Sequence, residues 1–502
     1  MKRMACLIRR ALTVTLPLAL MACAAGPDFR PPANDHPEHF LPPAVTAANE
    51  GPTFDAHAAP PAAWWMAYRS PELDALVARA LARHPDIAAA QAALAATQEM
   101  VEAQRSAFFP SVSAAFQPTR QKTAGTLSSV PASGAYIYSL HTAQLNVGFT
   151  PDVFGGNRRQ VEALAAQSDV ARFQLEATRV TLVANLCTAV VNAAVLREQR
   201  DITQRLVAGQ RDSLAILQRR RDAGDAGDAD VLLQQASLAQ TLSTLPPIEK
   251  ALGQAEDAVA VLTGAFPDSS TLPLPALEQL SLPASLPVSV PARLLERRPD
   301  VLAAQAQWHA ATAQIGVAEA ARLPDVQIDA TLGSSADRIS RLFSAGTGLW
   351  SLAGNLAAPL FDGGALAHRQ RAAEATERQY AAVYRSTVFT AFGNVADALR
   401  AVQSDASAVA ATGQSSASCA RSYAIARAQL AAGDLSMQSL LLTQAACQQA
   451  DLAKVQAEGN QLADVAALFQ ALGGGWSEEV GVPEAGAHAK AATKRMTTAF
   501  MQ

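Results

Sequence analysis

Apolar residues recur at helical spacing over Pro71–Ala107, where Leu73, Leu76, Val77, Ala80 and Leu81 share one face, and over Pro291–Arg322. Both stretches predict amphipathic helices. The period then drops to two. Val112, Ala114 and Phe116 alternate with Ser111, Ser113 and Gln117, and Leu145, Val147 and Phe149 alternate with Gln144, Asn146 and Gly148. Further on, Val326, Ile328, Ala330 and Leu332 alternate with Asp325, Gln327, Asp329 and Thr331, and Trp350, Leu352, Leu356 and Ala358 follow with Gly354 in the apolar register. Strands are predicted near 109–120, 137–151, 323–334 and 348–360. From Gly156 to about Arg221, and from Gly364 to about Ala432, neither a proline nor a turn cluster interrupts the chain. Each segment predicts a continuous helix of about 65–70 residues, roughly 100 Å long. The shorter helices, near 71–107 with 229–264 and near 292–322 with 434–472, match that length in pairs. Two short helices laid end to end beside each long one would make a hollow helical cylinder.

The pattern occurs twice. His84-Pro85-Asp86-Ile87 recurs as Arg298-Pro299-Asp300-Val301, and Phe109-Pro110-Ser111-Val112 as Leu323-Pro324-Asp325-Val326, both at an offset of 214. Pro151-Asp152-Val153-Phe154-Gly155-Gly156 answers to Pro359-Leu360-Phe361-Asp362-Gly363-Gly364 at 208, and Arg221-Asp222-Ala223-Gly224-Asp225 to Leu430-Ala431-Ala432-Gly433-Asp434 at 209. The chain is two tandem copies of one unit. We divide it into 1–22, a signal segment; 23–70, an anchor and extended strap; 71–264, the first repeat; 265–291, a linker; 292–472, the second repeat; and 473–502, a tail.

Each alternating stretch has the length of a tilted outer-membrane strand, although a half-buried strand of a soluble sandwich alternates in the same way. The count decides between them. Four strands in two hairpins cannot close a barrel alone, and open edges are not tolerated in hydrocarbon, so other protomers must complete it. Beyond residue 23 we expect no run of 18 residues apolar enough to cross a bilayer as a helix.

Composition and charge narrow the partners. Of 502 residues, 50% are hydrophobic but only 5% aromatic and 17% charged, which favours closely packed helices over disorder. A net charge of -4 with scattered Lys and Arg offers no field for nucleic acid. Lys2, Arg3, Arg9 and Arg10 precede the apolar run Ala11–Ala22, which ends in Leu20-Met21-Ala22-Cys23. That is a secretory signal, and its end resembles a lipobox, which implies acylation of Cys23. Cleavage there leaves 36 basic against 44 acidic residues, a net charge of -8. Nine prolines between Pro27 and Pro61 predict an extended strap. Cys187, Cys419 and Cys447 are expected as buried helix residues, a Cys419–Cys447 bridge being the alternative.

The order helix, strand, strand, long helix, helix, present twice behind a lipobox, resembles the TolC-like outer membrane efflux factors over essentially all of residues 23–476. Cys23-Ala24-Ala25-Gly26-Pro27-Asp28-Phe29, Trp64-Trp65, the turns at Pro85 and Pro299, Phe361-Asp362-Gly363-Gly364 and Leu472-Gly473-Gly474-Gly475-Trp476 are similar to its NodT-type lipoprotein branch. The resemblance implies a homotrimer in the outer membrane, with a twelve-stranded β-barrel continued by a twelve-helix periplasmic tunnel. It also implies a periplasmic membrane-fusion adaptor and an inner-membrane pump of resistance-nodulation-division or major-facilitator type. The implied function is the exit duct of a tripartite efflux pump for small toxic compounds or drugs. A duct for protein secretion and a non-channel periplasmic coiled-coil protein are the alternatives.

The closing end of the tunnel is expected at two turns, Asp222–Asp230 and Gly433–Ser439. Asp222, Asp225, Asp228 and Asp230 would form an acidic ring in a trimer. A calcium loop lacks its acidic twelfth residue, which is Leu233, and a merely solvated turn is the plainer reading. Gly224 and Gly433 can take the left-handed conformation that reverses one helix into the next. In the places of the family's second-turn gate carboxylates stand Ser439 and Leu442, so closure there is expected from packing and hydrogen bonds. Neither His84, His141, His309 and His368 nor any other residues form a ligand spacing, and no nucleophile or nucleotide motif is present. No enzyme, cofactor or metal is expected.

Overall fold

The computed structural model describes residues 24–31, 53–55, 58, 60–122, 137–267, 273–283, 285–287 and 297–474. The signal segment, Cys23 and the tail beyond 474 lie outside the described residues. In chain order the elements are β1 (Thr53–Asp55), α1 (Pro71–Arg83), α2 (Pro85–Arg105), β2 (Ser111–Lys122), β3 (Ile137–Phe149), α3 (Gly156–Asp222), α4 (Asp228–Leu262), β4 (Ser285–Pro287), α5 (Pro299–Ala320), β5 (Asp325–Ala336), β6 (Gly348–Ala357), α6 (Ala365–Ala432) and α7 (Met437–Ala471).

Local chemistry explains where these elements begin and end. Ser70 caps α1, accepting from the Leu73 N–H at 3.3 Å, and Pro71 opens the first turn. The single helix expected over 71–107 is instead two helices. Pro85 disfavours helical geometry in the residue before it, so His84 is extended (ψ 128°) and α1 ends there. In the second repeat α5 starts at Pro299 after a break at Arg298, and the expected start near 292 lies outside the described residues. The long helices hold: α3 has 67 residues and α6 has 68, about 100 Å each. Each N-terminus is capped by a carboxylate, at positions two residues apart in the repeat register. Asp152 accepts from the Asn157 and Arg158 N–H groups, both at 2.9 Å, and Asp362 from those of Leu366 at 2.7 Å and Gly364 at 2.8 Å. These donors hold the Asp362 carboxyl below the usual range, that of Leu366 most. α4 runs through Pro246 and Pro247, which forfeit two ladder donors.

Contacts divide the chain into two units. The first comprises Met1–Pro32, Ala92–Arg172 and Ala303–Arg385; the second comprises Ala33–Gln91, Phe173–Leu302 and Ser386–Gln502. The first holds the antiparallel sheet β2-β3-β5-β6, together with parts of α2, α3, α5 and α6. The second holds most of the helical mass and a short parallel pair, in which Phe54 lies opposite Leu286 and ties strap to linker.

In the second unit the core forms around Trp64, Tyr68, Leu73, Val77, Leu186, Val190 and Phe469, all buried. Trp64 stacks on Phe469 at 5.1 Å, and the Tyr68 hydroxyl donates to the Leu462 carbonyl at 2.7 Å. Burial pushes the Tyr68 phenol and the free Cys187 thiol up, so both stay neutral. Cys419 and Cys447 are joined as a disulfide between α6 and α7, correcting the expectation of three buried thiols. The expectation of no apolar run after Cys23 is corrected too. α3 contains an 18-residue stretch that passes for a membrane span by length and composition, and over half of that stretch is buried within the protein.

Candidate functional site

The sheet sorts its residues onto two chemically distinct faces. Its registers place Val112, Val147, Ala330 and Leu352 in one row and Ala114, Leu145, Leu332 and Trp350 in another, all on one face. The alternate row is Ser113, Asn146, Thr331 and Ser351. On that polar face Thr331 donates to Asn146 at 3.2 Å, Gln144 to Asn146 at 2.9 Å, and the Thr142 and Ser335 hydroxyls lie 3.0 Å apart. The apolar face stands open in the single chain, with Val112 67% and Trp350 77% exposed. β3 of the first repeat pairs with β5 of the second, so the two hairpins form one sheet. Among the described residues β2 and β6 each pair on one side only, which leaves two rows of backbone donors and acceptors open.

Both helix reversals are built alike. At the first, the Gly224 N–H (φ 83°) donates to Arg221 O at 2.9 Å and the Asp225 N–H to Arg220 O at 2.8 Å. At the second, the Gly433 N–H (φ 87°) donates to Leu430 O at 3.1 Å and the Asp434 N–H to Gln429 O at 2.9 Å. These are Schellman turns, whose left-handed position glycine takes without a Cβ clash. They are tighter than expected. Asp222 ends α3, Asp228 and Asp230 lie in the first turn of α4, and Ser439 lies inside α7.

The acidic turn is partly neutralised by a neighbour that the sequence reading passed over. Arg221, last in the run Arg219-Arg220-Arg221, pairs with Asp222 at 2.7 Å and reaches Asp228 at 4.0 Å. The Gly227 N–H points to Asp230 at 3.4 Å. Asp225 and Asp228 are exposed, Asp228 to 84% of its side chain. In the second reversal Ser436 caps α7, accepting from the Ser439 N–H at 3.2 Å, and the two hydroxyls lie 2.9 Å apart. Ser439 therefore serves its own helix end, while Leu442 is 67% exposed.

The first unit also seats the beginning of the strap. The Arg159 side chain, 7% exposed, donates to Ala25 O at 2.9 Å and Gly26 O at 3.1 Å and pairs with Asp28 and Glu162, each at 2.7 Å. Phe29 stacks on His309 at 4.6 Å and meets Trp308 edge-on at 5.3 Å, and His309 lies 2.9 Å from Glu162. The run Gly26-Pro27-Asp28-Phe29 signalled this seat; its receptor, assembled from α3 and α5, had no local signal.

One further pair was not foreseen. Asp405 on α6 and Asp464 on α7 face each other, and Asp405 Oδ2 is buried with no hydrogen-bond donor. Burial, then the neighbouring Asp464 carboxyl, pushes Asp405 up to about 6. Of the histidines, His84 ends α1, His141 sits in β3, His309 is on α5 and His368 on α6. Among the described residues no group of three or more His, Cys, Asp or Glu could hold a metal.

The family model for outer membrane efflux proteins matches residues 76–265 and 290–474, one match per repeat. The chain is 28% identical over 475 residues to the pyoverdine export outer membrane protein OpmQ of Pseudomonas putida, covering 94% of this chain and 98% of that one. It is 28% identical over 480 residues to the toluene efflux pump outer membrane protein TtgF of Pseudomonas putida, covering 93% and 96%. Among solved structures, the outer-membrane channel OprN superposes with a TM-score of 0.82 at 27% identity, covering 90% of this chain and all of that one.

Proposed function

Because the chain belongs to the outer membrane efflux protein family, and is an outer membrane efflux channel of the TolC-like fold, we propose that it is the lipid-anchored exit duct of a tripartite pump, assembled as a homotrimer. The two-faced sheet with its open edges carries this reading. Apolar residues toward lipid and polar residues toward a lumen are what a barrel needs, and four strands close only when further copies supply β6 to β2.

The internal repeat supports the same assembly. Gly474, at the end of the second repeat, sits so close to Val180 of α3 that a methyl there would lie 2.7 Å from Val180 Cγ2. The equivalent end of the first repeat is Ala265-Phe266, and the equivalents of Val180 and Thr181 are Val388 and Phe389 on α6. Phe266 is 80% and Phe389 75% exposed in the single chain. Closing a ring puts Phe266 of one copy against α6 of the next. Cysteines at Phe266 and Phe389 should crosslink purified protein up to trimers and no further; monomers alone would overturn the assembly.

The cargo is a small toxic compound or drug handed over by an inner-membrane pump through a periplasmic adaptor. The similarity to OpmQ, a pyoverdine export protein, and to TtgF, of a toluene efflux pump, suits a duct with little selectivity of its own. We place the closing end at the two reversals, where Gly224 and Gly433 set the backbone, Asp225, Asp228 and Asp230 supply charge, and Ser439 and Leu442 lie at the start of α7. Asp228→Asn with Asp230→Asn should lower cation preference in bilayer recordings. An unchanged reversal potential in a salt gradient would return these aspartates to plain turn chemistry.

A further inference from the structure

Charge is distributed unevenly along the sheet. β2 and β5 both run toward the end that carries residues 119–122, 137–141 and 333–350, and among the described residues the Lys, Arg, Asp and Glu there are Arg120, Lys122, Arg338 and Arg341 against Asp337. At the opposite end, residues 109–112, 148–154, 323–329 and 355–363 hold Asp152, Asp325, Asp329 and Asp362 and no Lys or Arg. A chain that is acidic as a whole thus presents four cations against one anion at one rim of its sheet.

The register decides which face these cations occupy. Arg120 lies opposite Ser139 and Lys122 opposite Ile137, in the same parity as Val112, Ala114 and Phe116. They continue the apolar face, not the polar one. Eight residues separate Val112 from Arg120, about 26 Å along a strand and about 20 Å along the normal at an ordinary barrel tilt. An apolar band of about 25 Å starting at Val112 therefore ends near Lys122, which puts Lys122 at headgroup height on the lipid side and Arg120 within side-chain reach of it. Arg338 and Arg341, 71% and 61% exposed, stand on the β5–β6 connection at the same end, with Asp337 3.8 Å from each. Ile339 at 63% and Phe343 at 84% exposure flank them with apolar surface. Resting on the barrel reading above, β2 of one copy lies beside β6 of the next, so this connection would face Arg120 and Lys122 across each protomer boundary.

We propose that Arg120, Lys122, Arg338 and Arg341 form a docking surface for the phosphate groups of phosphorylated glycolipids in the outer leaflet. Charge complementarity selects the phosphates, and Phe116, Trp350, Ile339 and Phe343 meet the acyl chains. With Arg120 and Lys122 on the apolar face, the surface binds the membrane's own amphiphile and leaves the cargo path on the polar face.

The test titrates the detergent-solubilised full-length oligomer with bis-phosphorylated lipid A, with the same lipid A stripped of phosphate, and with phosphatidylglycerol, reading bound lipid by native mass spectrometry. The phosphorylated form should bind at least about tenfold tighter than the other two, and the advantage should vanish in Arg120→Gln/Lys122→Gln/Arg338→Gln/Arg341→Gln. The charge-preserving Arg120→Lys/Arg338→Lys/Arg341→Lys should keep most of it. Equal binding of phosphorylated and stripped lipid A by a well-formed oligomer, or equal binding of phosphatidylglycerol, would overturn the proposal while leaving the channel reading standing. A wild-type chain that forms no heat-modifiable oligomer would remove the barrel and this surface together.

Discussion

Gly26 of the strap and Gly316 of α5 meet backbone to backbone, so closely that a methyl on Gly26 would overlap the Gly316 Cα and one on Gly316 would lie 2.5 Å from Ala25 O. Gly26 also holds φ at 85°, which side-chain-bearing residues rarely adopt. The strap is thus seated by a matched pair of glycines, with Arg159 closing over it from α3. The seat needs residues from both repeats. It lies only a few residues after Cys23, so packing would fix the point where the proposed lipid anchor leaves the protein.

Gly316→Val should expel the strap, because the new side chain meets Ala25 and Arg159 from a helix that cannot shift. The cost should be about 1–3 kcal/mol. Hydrogen exchange at residues 24–31 should rise at least tenfold while the sheet stays protected. Unchanged exchange at those amides would show that the strap is held elsewhere.

Cys23→Ser should abolish labelling with palmitate and leave the strap seated, since Arg159 binds Ala25, Gly26 and Asp28, none of which the substitution alters. Labelling that persists in the variant would remove the anchor from Cys23.

The faces of the sheet can be separated by parity. Arg in place of Leu145 or Val147 should cost about 2–4 kcal/mol if the site lies at mid-bilayer, and Arg in place of Asn146 should be tolerated. Reading heat-modifiable oligomer after membrane extraction, equal effects at both parities would mean that neither face meets lipid.

Much of this was legible because it is local or periodic. The strands were visible from alternation, as in Val112-Ser113-Ala114, and the repeats from Pro85-Asp86 and Pro299-Asp300. The turn at Pro85 was legible from its Pro-Asp pair, although helical spacing on both sides of it made 71–107 read as one helical stretch. Long-range pairings left no periodic trace. Cys419 and Cys447, 28 residues apart on separate helices, meet only once α6 reverses into α7, and Arg159 reaches a strap more than a hundred residues earlier. The apolar stretch of α3 was overlooked in the sequence because charged residues flank it, and its burial identifies it as core.

Acid should stabilise the α6–α7 pairing. In the unfolded chain Asp405 titrates as an ordinary carboxyl near 3.9, whereas the folded protein holds its proton up to about 6. The folded state therefore binds more protons between those values, and stability rises as pH falls from about 7 toward 5. Asp405→Asn should raise the unfolding temperature at pH 7.5 and flatten the dependence below it. A variant whose melting follows pH as the wild type does would remove Asp405 from this role.

Three copies enclosing one water-filled path should conduct, which single-channel recording of the purified protein in a planar bilayer reads. Small, infrequent openings are expected in the wild type and larger basal conductance when Ser439 and Leu442 are both changed to Gly, from oligomers that run as trimers until heated. A trimer that inserts yet stays silent in both forms would contradict the enclosed path.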